Sequence, residues 1–269
     1  MVRKGVASSG GRVSTGGVGN KKTWYSDWYR SGGFRDETNP AYNQKLKVVS
    51  HIVRSSLPKG ACILDVGCGR GLIGALLSAY GYKLYGIDIV EELGRIVLER
   101  GYSGYIVHNI ENGVPFPDES FDGVLALDII EHIWDTDRFL DEIHRVLRPA
   151  GLLVITTPNL CFLGNLFLIL LGYQLPSVEF RKSHEDAGHV NYYSPHALRL
   201  QLLQHGFINV TFHRCPVPPV CARPSVYPRW LQKPPVSWMI TLLYRVATLT
   251  KRWGNMLVVS ARKPAAKDS

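Results

Sequence analysis

The stretch that most constrains the fold is ILDVGCGRG, residues 63–71, where an apolar run ends in three glycines spaced two apart. Glycine is required where a strand turns sharply into a helix and a ligand lies against bare backbone. A Cβ at such positions would fill the space or forbid the dihedral angles. The pattern therefore predicts a strand, a ligand-binding turn and a helix, in that order.

Strand-like and helix-like runs alternate after this turn. The predicted strands are CILDVG, KLYGID, YIVHN, GVLALD and LLVITT, and helical spacing occurs around residues 71–80, 91–100 and 136–148. Asp135 or Thr136 is predicted to cap the third helix, and Pro149-Ala150-Gly151 to end it. Repeated βα units of this kind predict a parallel sheet with helices on both faces.

The alternation breaks after the fifth strand and resumes at Ser194-Pro195. This pair is predicted to be an N-cap followed by proline at the first helical position, and it leads the helix HALRLQLLQHGF. INVTFHRC and NMLVVSARK are the last predicted strands. Together with the earlier runs they complete a predicted sheet of seven strands.

Changes in composition divide the chain into segments. Residues 1–22 are rich in Gly, Ser and basic residues without an apolar signal sequence, and they are predicted to be a disordered arm. The remaining predicted segments are an N-terminal helical segment (23–60), a ligand-binding core (61–159), a helical cap (160–192), a core helix and strand (193–214), a Pro-rich and apolar helical insertion (215–252), a final strand (253–263) and a tail (264–269).

Within TPNLCFLGNLFLILLGYQLP, residues 157–176, the nearly continuous apolar part extends only from Leu160 to Leu171, which is too short to cross a bilayer because a span requires about 18 or more apolar residues. It follows the fifth strand, at the sheet edge where ligands bind in open α/β folds. We expect it to pack against VSWMITLLYRVATLTKRW as a cap beside the site, resting on an anionic membrane with Arg245, Lys251 and Arg252 at the surface. The alternative is an ordinary helical pair that completes the core.

The net charge of +9 is unevenly distributed. Residues 1–35 hold seven Lys or Arg against one Asp, and residues 215–269 hold nine against one, so the middle of the chain is acidic. An acidic middle argues against a broad nucleic-acid-binding face, and we expect no nucleic-acid partner. The basic ends suit an anionic membrane surface or RNA, or are simply solvated.

The cysteines indicate a reducing compartment. They are few, odd in number and scattered, without a C-x-x-C pair or Cys/His clustering: Cys62, Cys68, Cys161, Cys215 and Cys221. Neither a disulfide framework nor a zinc knuckle is predicted. We expect a cytoplasmic protein, with contact at the membrane surface as the possibility raised by the basic ends.

The glycine pattern also limits the ligand. It is G-x-G-x-G, with Leu72 where the dinucleotide fingerprint has its third glycine, and the carboxylate of Asp65 suits a pyrophosphate poorly. Asp88, at the end of the next strand, can accept hydrogen bonds from both ribose hydroxyls. These residues favour a nucleoside with a cationic tail and disfavour a nicotinamide oxidoreductase.

Five motifs in order carry a family resemblance: LDVGCGRG, GID, PFPDESFDGVLALDIIEH, RVLRPAGLLVITTPN and HVNYYSPHALRLQLLQHGF. Over residues 40–214 the chain resembles class I S-adenosylmethionine-dependent methyltransferases. It is most similar to the subgroup of quinone-biosynthesis O-methyltransferases, MetW-like proteins and methyltransferases of surface glycans or lipids. The resemblance implies an α/β, Rossmann-like fold with a seven-stranded sheet, mostly parallel with the last strand antiparallel, helices on both faces and a helical cap inserted after strand 5.

The same resemblance implies a set of cofactor contacts. The first motif would hold the methionine moiety, Asp88 the ribose and Ile89 the adenine, while Asn109 stands where many members have an Asp that contacts the adenine amino group. Leu127 and Asp128 would flank the transferable methyl. The predicted cofactor-binding residues are Asp65, Gly67, Cys68, Gly69, Gly71, Asp88, Ile89, Asn109, Ile110, Leu127 and Asp128.

Candidate catalytic residues follow the fourth strand. Spacings of three and four are predicted to place Asp128, Glu131 and His132 on one face of a helix that begins there. His132 is then a candidate general base, or the three hold a divalent metal, as the quinone-type relatives suggest. A third alternative is that Glu131 and His132 only brace the helix and the glycine loop.

Further polar and aromatic candidates lie outside the core. His184 and His189 fall in the inserted segment, where His189 either faces an acceptor or is a structural histidine. Tyr25, Trp28 and Tyr29 either fold over the cofactor or belong to a surface amphipathic helix.

The resemblance implies methyl transfer from S-adenosylmethionine, most readily to an oxygen of a small, glycan-linked or lipid-linked acceptor. The alternative is a non-catalytic S-adenosylmethionine-binding or membrane-surface scaffold protein. The sequence does not indicate an oligomeric state.

Overall fold

The computed structural model describes residues 25–26, 40–162, 166, 169–170, 188–215, 242 and 254–266. The strands in this part of the chain are β1 Cys62–Val66, β2 Lys83–Asp88, β3 Gly104–Val107, β4 Phe121–Leu127, β5 Leu147–Pro158, β6 Ile208–His213 and β7 Met256–Arg262. The α-helices are α1 Pro40–Ser56, α2 Leu72–Ser78, α3 Gly94–Glu99, α4 Thr136–Val146 and α5 Pro195–Gln204. Short 3-10 turns cover Glu91–Leu93, Ile110–Asn112 and Ile130–His132.

The strands form a single seven-stranded sheet in the order β3-β2-β1-β4-β5-β7-β6. Neighbours from β3 to β5 pair in parallel, whereas β7 runs antiparallel to both β5 and β6. The predicted α/β, Rossmann-like sheet, mostly parallel with its last strand antiparallel, is confirmed. The strand order reverses between β1 and β4, and in open α/β sheets ligands bind outside the carboxyl ends of the strands at this switch point.

Helices cover both faces of the sheet because consecutive strand residues point to opposite sides. Ile63 of β1 packs in a layer with α1 and α2, while its neighbour Leu64 packs in the other layer with α4 and α5. Both side chains are fully buried. Strands buried on both faces explain why these runs read as nearly continuous apolar stretches rather than as alternating ones.

Most element boundaries agree with the local sequence signals. The run KLYGID is β2, and Asp135 caps α4 by accepting a 3.0 Å hydrogen bond from the Arg138 N–H. Ser194 caps α5 in the same way, with a 3.1 Å bond from the Ala197 N–H, and Pro195 opens that helix. Both predicted caps are confirmed.

The predicted end of the third core helix is wrong. The helix ends at Val146, and β5 already runs through Pro149-Ala150-Gly151, with Ala150 in the left-handed region at φ 61°. Leu147 pairs with Phe121 of β4, so sheet pairing takes over before the Pro-Ala-Gly turn is reached. A contact with a distant strand thus overrides the local helix signal.

Much of the predicted cap lies outside the described residues. Leu166, Ile169 and Leu170 are helical and exposed, as is Leu242 in the second apolar run. The packing of the two runs against each other falls outside the described ranges, as do the N-terminal arm, Trp28, Tyr29, His184, Arg245, Lys251, Arg252 and Cys221. No helix among the described residues is long and apolar enough to cross a bilayer.

Candidate active site

The glycine loop after β1 has the backbone that its sequence predicted. Gly67, Gly69 and Gly71 have φ values of 66°, 51° and 68°, in the left-handed region that favours glycine. A Cβ added to Gly67 would lie 2.7 Å from the Ile129 side chain, and one added to Gly71 would lie 2.8 Å from the Tyr102 ring. Backbone conformation therefore favours glycine at all three positions, and lack of space disfavours a side chain at Gly67 and Gly71.

Asp88 joins the loop to the end of β2. One carboxylate oxygen accepts a 2.8 Å hydrogen bond from the Gly69 N–H, and the other accepts a 3.1 Å bond from the Val90 N–H. Burial raises the pKa of this carboxyl above its ordinary value, although the backbone donors oppose the shift. The predicted ribose-binding acid thus lies directly beside the predicted glycine loop.

Asp65 and Cys68 lie beneath the loop. Asp65 is only 2% exposed and accepts a 2.5 Å hydrogen bond from the Tyr102 hydroxyl. Burial raises the pKa of Asp65 to about 7, although the hydrogen bond opposes it. The Cys68 side chain is also buried, and its N–H donates to the Ile87 carbonyl at 3.0 Å, so Cys68 contributes to the shape of the loop.

Asn109 extends this edge of the sheet to the end of β3. The preceding residue, His108, donates its N–H to the Asp88 carbonyl at 2.9 Å, which holds the ends of β2 and β3 together. Asn109 Oδ1 accepts a 3.1 Å hydrogen bond from the Glu111 N–H and so caps the next 3-10 turn. The half-buried side chains of Ile89 and Ile110 lie on the same edge.

Asp128 occupies the matching position at the end of β4, just after the half-buried Leu127. Its φ of 54° lies in the left-handed region, which is uncommon for any residue other than glycine. The Thr156 hydroxyl donates to one of its carboxylate oxygens at 2.7 Å, and the Lys45 ammonium pairs with the other. Burial opposes ionisation, but these two groups outweigh it and hold the pKa of Asp128 below its ordinary value.

Sequence reasoning missed Lys45, which α1 contributes to the site. Its side chain is only 3% exposed although it carries a charge. The signal was present, because Lys45 lies four residues before Val49 and seven before Ile52, both fully or nearly fully buried on α1. Helical spacing therefore places the lysine on the buried face.

A second polar group follows Asp128. Glu131 is 1% exposed and accepts a 3.0 Å hydrogen bond from the Thr157 hydroxyl. Burial, and then the charge of Asp128, raise the pKa of Glu131 to about 8. The rings of His132 and His189 lie edge to face at 4.8 Å, and donor atoms of Glu131 and the two histidines all lie within 4.8 Å of one another.

The main chain of Glu131 brings His189 to this point. The N–H groups of Val190 and Asn191 donate to the Glu131 carbonyl at 2.8 and 3.1 Å. The end of the predicted cap segment is therefore tied to the turn after β4. Of the two inserted histidines, only His189 lies in the described part of the chain.

The predicted helix face formed by Asp128, Glu131 and His132 is wrong. The left-handed backbone of Asp128 breaks any helix there, and only Ile130–His132 forms a single 3-10 turn. Asp128 therefore pairs with Lys45, while Glu131 and His132 lie with His189. The predicted catalytic residues are all at the site, but they form two groups instead of one row.

Comparisons with known proteins agree with this geometry. Residues 64–155 match the family model of a methyltransferase domain. A probable S-adenosylmethionine-dependent methyltransferase of Mycolicibacterium smegmatis is 36% identical over 100 residues, which cover 37% of this chain and 39% of that protein. Human mitochondrial ubiquinone biosynthesis O-methyltransferase is 35% identical over 134 residues, covering 46% and 36%. Residues 64–155 therefore carry a methyltransferase domain, and the predicted resemblance to class I S-adenosylmethionine-dependent methyltransferases is confirmed.

A matched domain and a shared fold do not by themselves establish an activity. The chain spans well under half the length of these two methyltransferases. Among solved structures, 1,6-didemethyltoxoflavin-N1-methyltransferase of Burkholderia thailandensis has a TM-score of 0.60 at 19% identity, covering 91% of this chain and 87% of that one. The [4+2]-cyclase SpnF has a TM-score of 0.55 at 20% identity, covering 81% and 82%. At such identities the likeness shows the fold alone, and proteins of different reactions share it.

Two residues that precede α1, Tyr25 and Ser26, lie against the site. The Tyr25 ring is 6.3 Å from the His132 ring, and the buried Ser26 hydroxyl donates to Glu92 at 3.5 Å. Burial, followed by the charges of Asp88 and Glu131, raises the pKa of Tyr25 above its ordinary value. The choice between a segment that folds over the cofactor and a surface amphipathic helix stays a prediction, because Trp28 and Tyr29 lie outside the described residues.

Proposed function

We propose that the chain transfers the methyl group of S-adenosylmethionine to an oxygen of a small, glycan-linked or lipid-linked acceptor. The observation that carries the proposal is the pair of features on either side of the β1/β4 switch point. On one side lies a bare glycine loop tied to Asp88, and on the other lies a buried polar group with paired histidines. The relationship to ubiquinone biosynthesis O-methyltransferases supports oxygen as the acceptor atom.

In this proposal the glycine loop leaves room for the methionine moiety and Asp88 accepts from the ribose hydroxyls. The sulfonium carries a positive charge, and the Asp88 carboxylate, which is held by the loop, complements it. A pyrophosphate would be repelled by the same carboxylate.

The reaction is a displacement at the methyl carbon. A lone pair of the acceptor oxygen forms the new carbon–oxygen bond as the carbon–sulfur bond breaks, and that electron pair stays on sulfur to give S-adenosylhomocysteine. The acceptor's proton must leave, and the protein must hold the two reactants in line. We assign the proton to His132, whose ring faces the His189 ring at the end of β4.

The carboxyl groups at this edge are poorer bases. Lys45 keeps Asp128 ionised with a low pKa, so it holds a proton weakly. Glu131, with a pKa raised to about 8, is mostly protonated at neutral pH and already accepts from Thr157. In the proposal, Asp128 and Glu131 position the turn that carries His132.

A divalent metal is the alternative to a histidine base. Ligand atoms around a tetrahedral zinc are about 3.3 Å apart, given bond lengths of about 2.0–2.1 Å. The donor atoms of Glu131, His132 and His189 lie within 4.8 Å, so this set fits a metal after small side-chain movements. When bound, such an ion would lower the pKa of an acceptor hydroxyl. Full activity after exhaustive chelation would contradict this alternative.

The test of the function begins with calorimetric titration of S-adenosylmethionine and S-adenosylhomocysteine into the purified chain. Binding is expected, and its absence would contradict the proposal. The chain is then incubated with methyl-labelled cofactor and separate lipid, glycan, quinone and small-metabolite extracts. Cofactor binding without any transfer would favour the non-catalytic scaffold, and label that enters only RNA or protein would contradict the acceptor class.

We further propose a cytoplasmic protein with peripheral contact at an anionic membrane. The basic ends of the chain support this, as do the exposed side chains of Leu170 and Leu242, which are 84% and 62% exposed. Apolar side chains beside basic residues favour an anionic lipid surface. Co-flotation with phosphatidylserine vesicles at low salt is the expected result, and no binding there would contradict the membrane contact.

A further inference from the structure

We infer that Asn109 presents a hydrogen-bond donor to the purine base of the cofactor. Its site would then accept a carbonyl at purine position 6 about as well as the amino group of adenine. The inference rests on the proposed binding of S-adenosylmethionine and concerns how one residue of that site selects the base.

The orientation of the Asn109 amide follows from its capping role. Its Oδ1 accepts the Glu111 N–H at 3.1 Å at the start of the turn Ile110–Asn112. The opposite orientation would set two donors, the side-chain Nδ2 and the backbone N–H, against each other. The amide oxygen is therefore committed to the turn, and Nδ2 is the atom directed elsewhere.

The Asn109 Nδ2 atom is shielded from solvent, and none of the described residues accepts a hydrogen bond from it. A buried unsatisfied donor costs about 1–3 kcal/mol, so a ligand that supplies an acceptor gains affinity. This unsatisfied donor is the observation that singles out Asn109.

Asn109 lies where the base of a bound nucleoside is expected. His108 donates to the Asp88 carbonyl, so Asn109 follows directly on the β3 end that adjoins the ribose-binding edge of β2. A nucleoside whose ribose contacts Asp88 extends its base along the carboxyl ends of the strands. On the pairing edge of a purine, a ring nitrogen or a 6-carbonyl accepts from an amide, whereas a 6-amino group presents a second donor.

Aspartate at this position would differ from asparagine by one atom, an oxygen in place of Nδ2. Aspartate caps a turn as well as asparagine does. In an Asn109→Asp variant, the new carboxylate would keep one oxygen on the Glu111 N–H and replace Nδ2 with an acceptor suited to an amino group. It would also add a negative charge next to the end of β2 that carries Asp88, a half-buried carboxyl with a raised pKa. Asparagine avoids that repulsion and offers the base a hydrogen-bond donor where aspartate would offer an acceptor.

The experiment compares S-adenosylhomocysteine with S-inosylhomocysteine, in which a carbonyl replaces the 6-amino group. Dissociation constants are measured by calorimetry for the wild type, Asn109→Asp and the control Asn112→Asp, which makes the same change at an exposed residue of the same turn. The wild type and the control are expected to bind the two ligands within about fivefold of each other. Asn109→Asp is expected to shift the ratio towards the adenosyl ligand by about tenfold or more.

A wild-type preference for the adenosyl ligand above about tenfold would overturn the inference without reference to any variant. An Asn109→Asp variant that folds, by its thermal unfolding midpoint, and leaves the ratio unchanged would also overturn it. If the wild type binds neither ligand, the proposed function itself fails. If the wild type binds S-adenosylhomocysteine and either of the two contrary results above is found, only the inference about Asn109 fails.

Discussion

The two halves of the site on either side of the β1/β4 switch point are built in opposite ways. The cofactor edge, made of the glycine loop with Asp88 and Asn109, takes its shape from backbone conformation and hydrogen bonds within and between neighbouring strand ends. The acceptor edge, made of Lys45, Asp128, Glu131, His132 and His189, joins side chains from α1, the turn after β4 and the stretch before α5. The first is specified by short runs of sequence, and the second only by packing.

The two edges also manage buried charge differently. At the cofactor edge, Asp88 is held by backbone donors and Asp65 by the Tyr102 hydroxyl, and burial raises the pKa of both. At the acceptor edge, a buried ammonium pairs with Asp128 and lowers its pKa. Removal of a partner should therefore affect ligand binding at the first edge and the stability of the fold at the second.

The largest expected effect is on catalysis at the acceptor edge. His132→Asn should lower the methyl-transfer rate by about 10²- to 10⁴-fold, because the proton acceptor is lost, while S-adenosylhomocysteine affinity changes little. Single-turnover kinetics with labelled cofactor measure the rate, and calorimetry measures the affinity. His51→Asn, on the exposed face of α1, is the matched control. An unchanged rate would show that the proton leaves by another route.

Lys45→Ala tests whether the acceptor edge depends on its buried ion pair. We expect a loss of about 3 kcal/mol in the free energy of unfolding, because the loss of one partner leaves a half-buried carboxylate without its counter-charge. Urea unfolding measures it. Lys45→Arg should retain more stability, and Lys47→Ala, at an exposed position of the same helix, should cost little. Equal stability of the Lys45→Ala and Lys47→Ala variants would contradict the role of the pair.

Asp88→Ala tests the cofactor edge. We expect S-adenosylhomocysteine affinity to fall by about 10- to 100-fold, because the loop loses the acceptor that holds the Gly69 N–H and the ligand loses a charged acceptor. Calorimetry measures the affinity, with Glu99→Ala at an exposed surface pair as the control. If affinity is retained while stability falls, Asp88 only supports the loop, and the contrast between the two edges would weaken.

The smallest effect is expected where α5, the helix after the His189 stretch, meets α4. His205 contacts Asp141 at 2.6 Å and Asp137 at 3.1 Å. Burial lowers the pKa of His205, but the hydrogen bonds and charges of these carboxylates outweigh it and raise the pKa. A raised pKa stabilises the folded state fully below the unfolded value of about 6.5, and the gain is lost as the pH rises through the folded value.

His205→Gln should therefore reduce the free energy of unfolding more at pH 5.5 than at pH 8.5. The difference should stay below about 1 kcal/mol, because both carboxylates are largely exposed and screened by solvent. Urea unfolding at the two pH values measures it. A variant that is equally destabilised at both would show that the histidine acts by packing alone.

Local signals predicted a large part of the fold. The run KLYGID became β2 and Ser194-Pro195 began α5, because side-chain caps and strand patterns act over a few neighbouring residues. The glycines of the loop were predictable for the same reason. The end of α4 was not, since Leu147 leaves the helix to pair with Phe121, which lies 26 residues earlier in the chain.

Four of the five residues of the acceptor edge were predicted from the sequence, but Lys45 and the arrangement of the five were not. Asp128, Glu131, His132 and His189 were all recognised, yet their grouping depended on the left-handed backbone of Asp128 and on Lys45 from α1. The helical spacing that places Lys45 on the buried face of α1 was visible in the sequence, but its pairing with Asp128 was not.

By itself, the sequence determined the order of strands and helices along the chain, the glycines that leave the cofactor edge free of side chains, and the acid at the end of β2. These features depend on the conformational preferences of adjacent residues. Only the tertiary structure decided that Lys45 pairs with Asp128 and that His189 joins Glu131 and His132. Such contacts join atoms that the chain brings together only when the sheet and its helices pack, so no short stretch of residues specifies them.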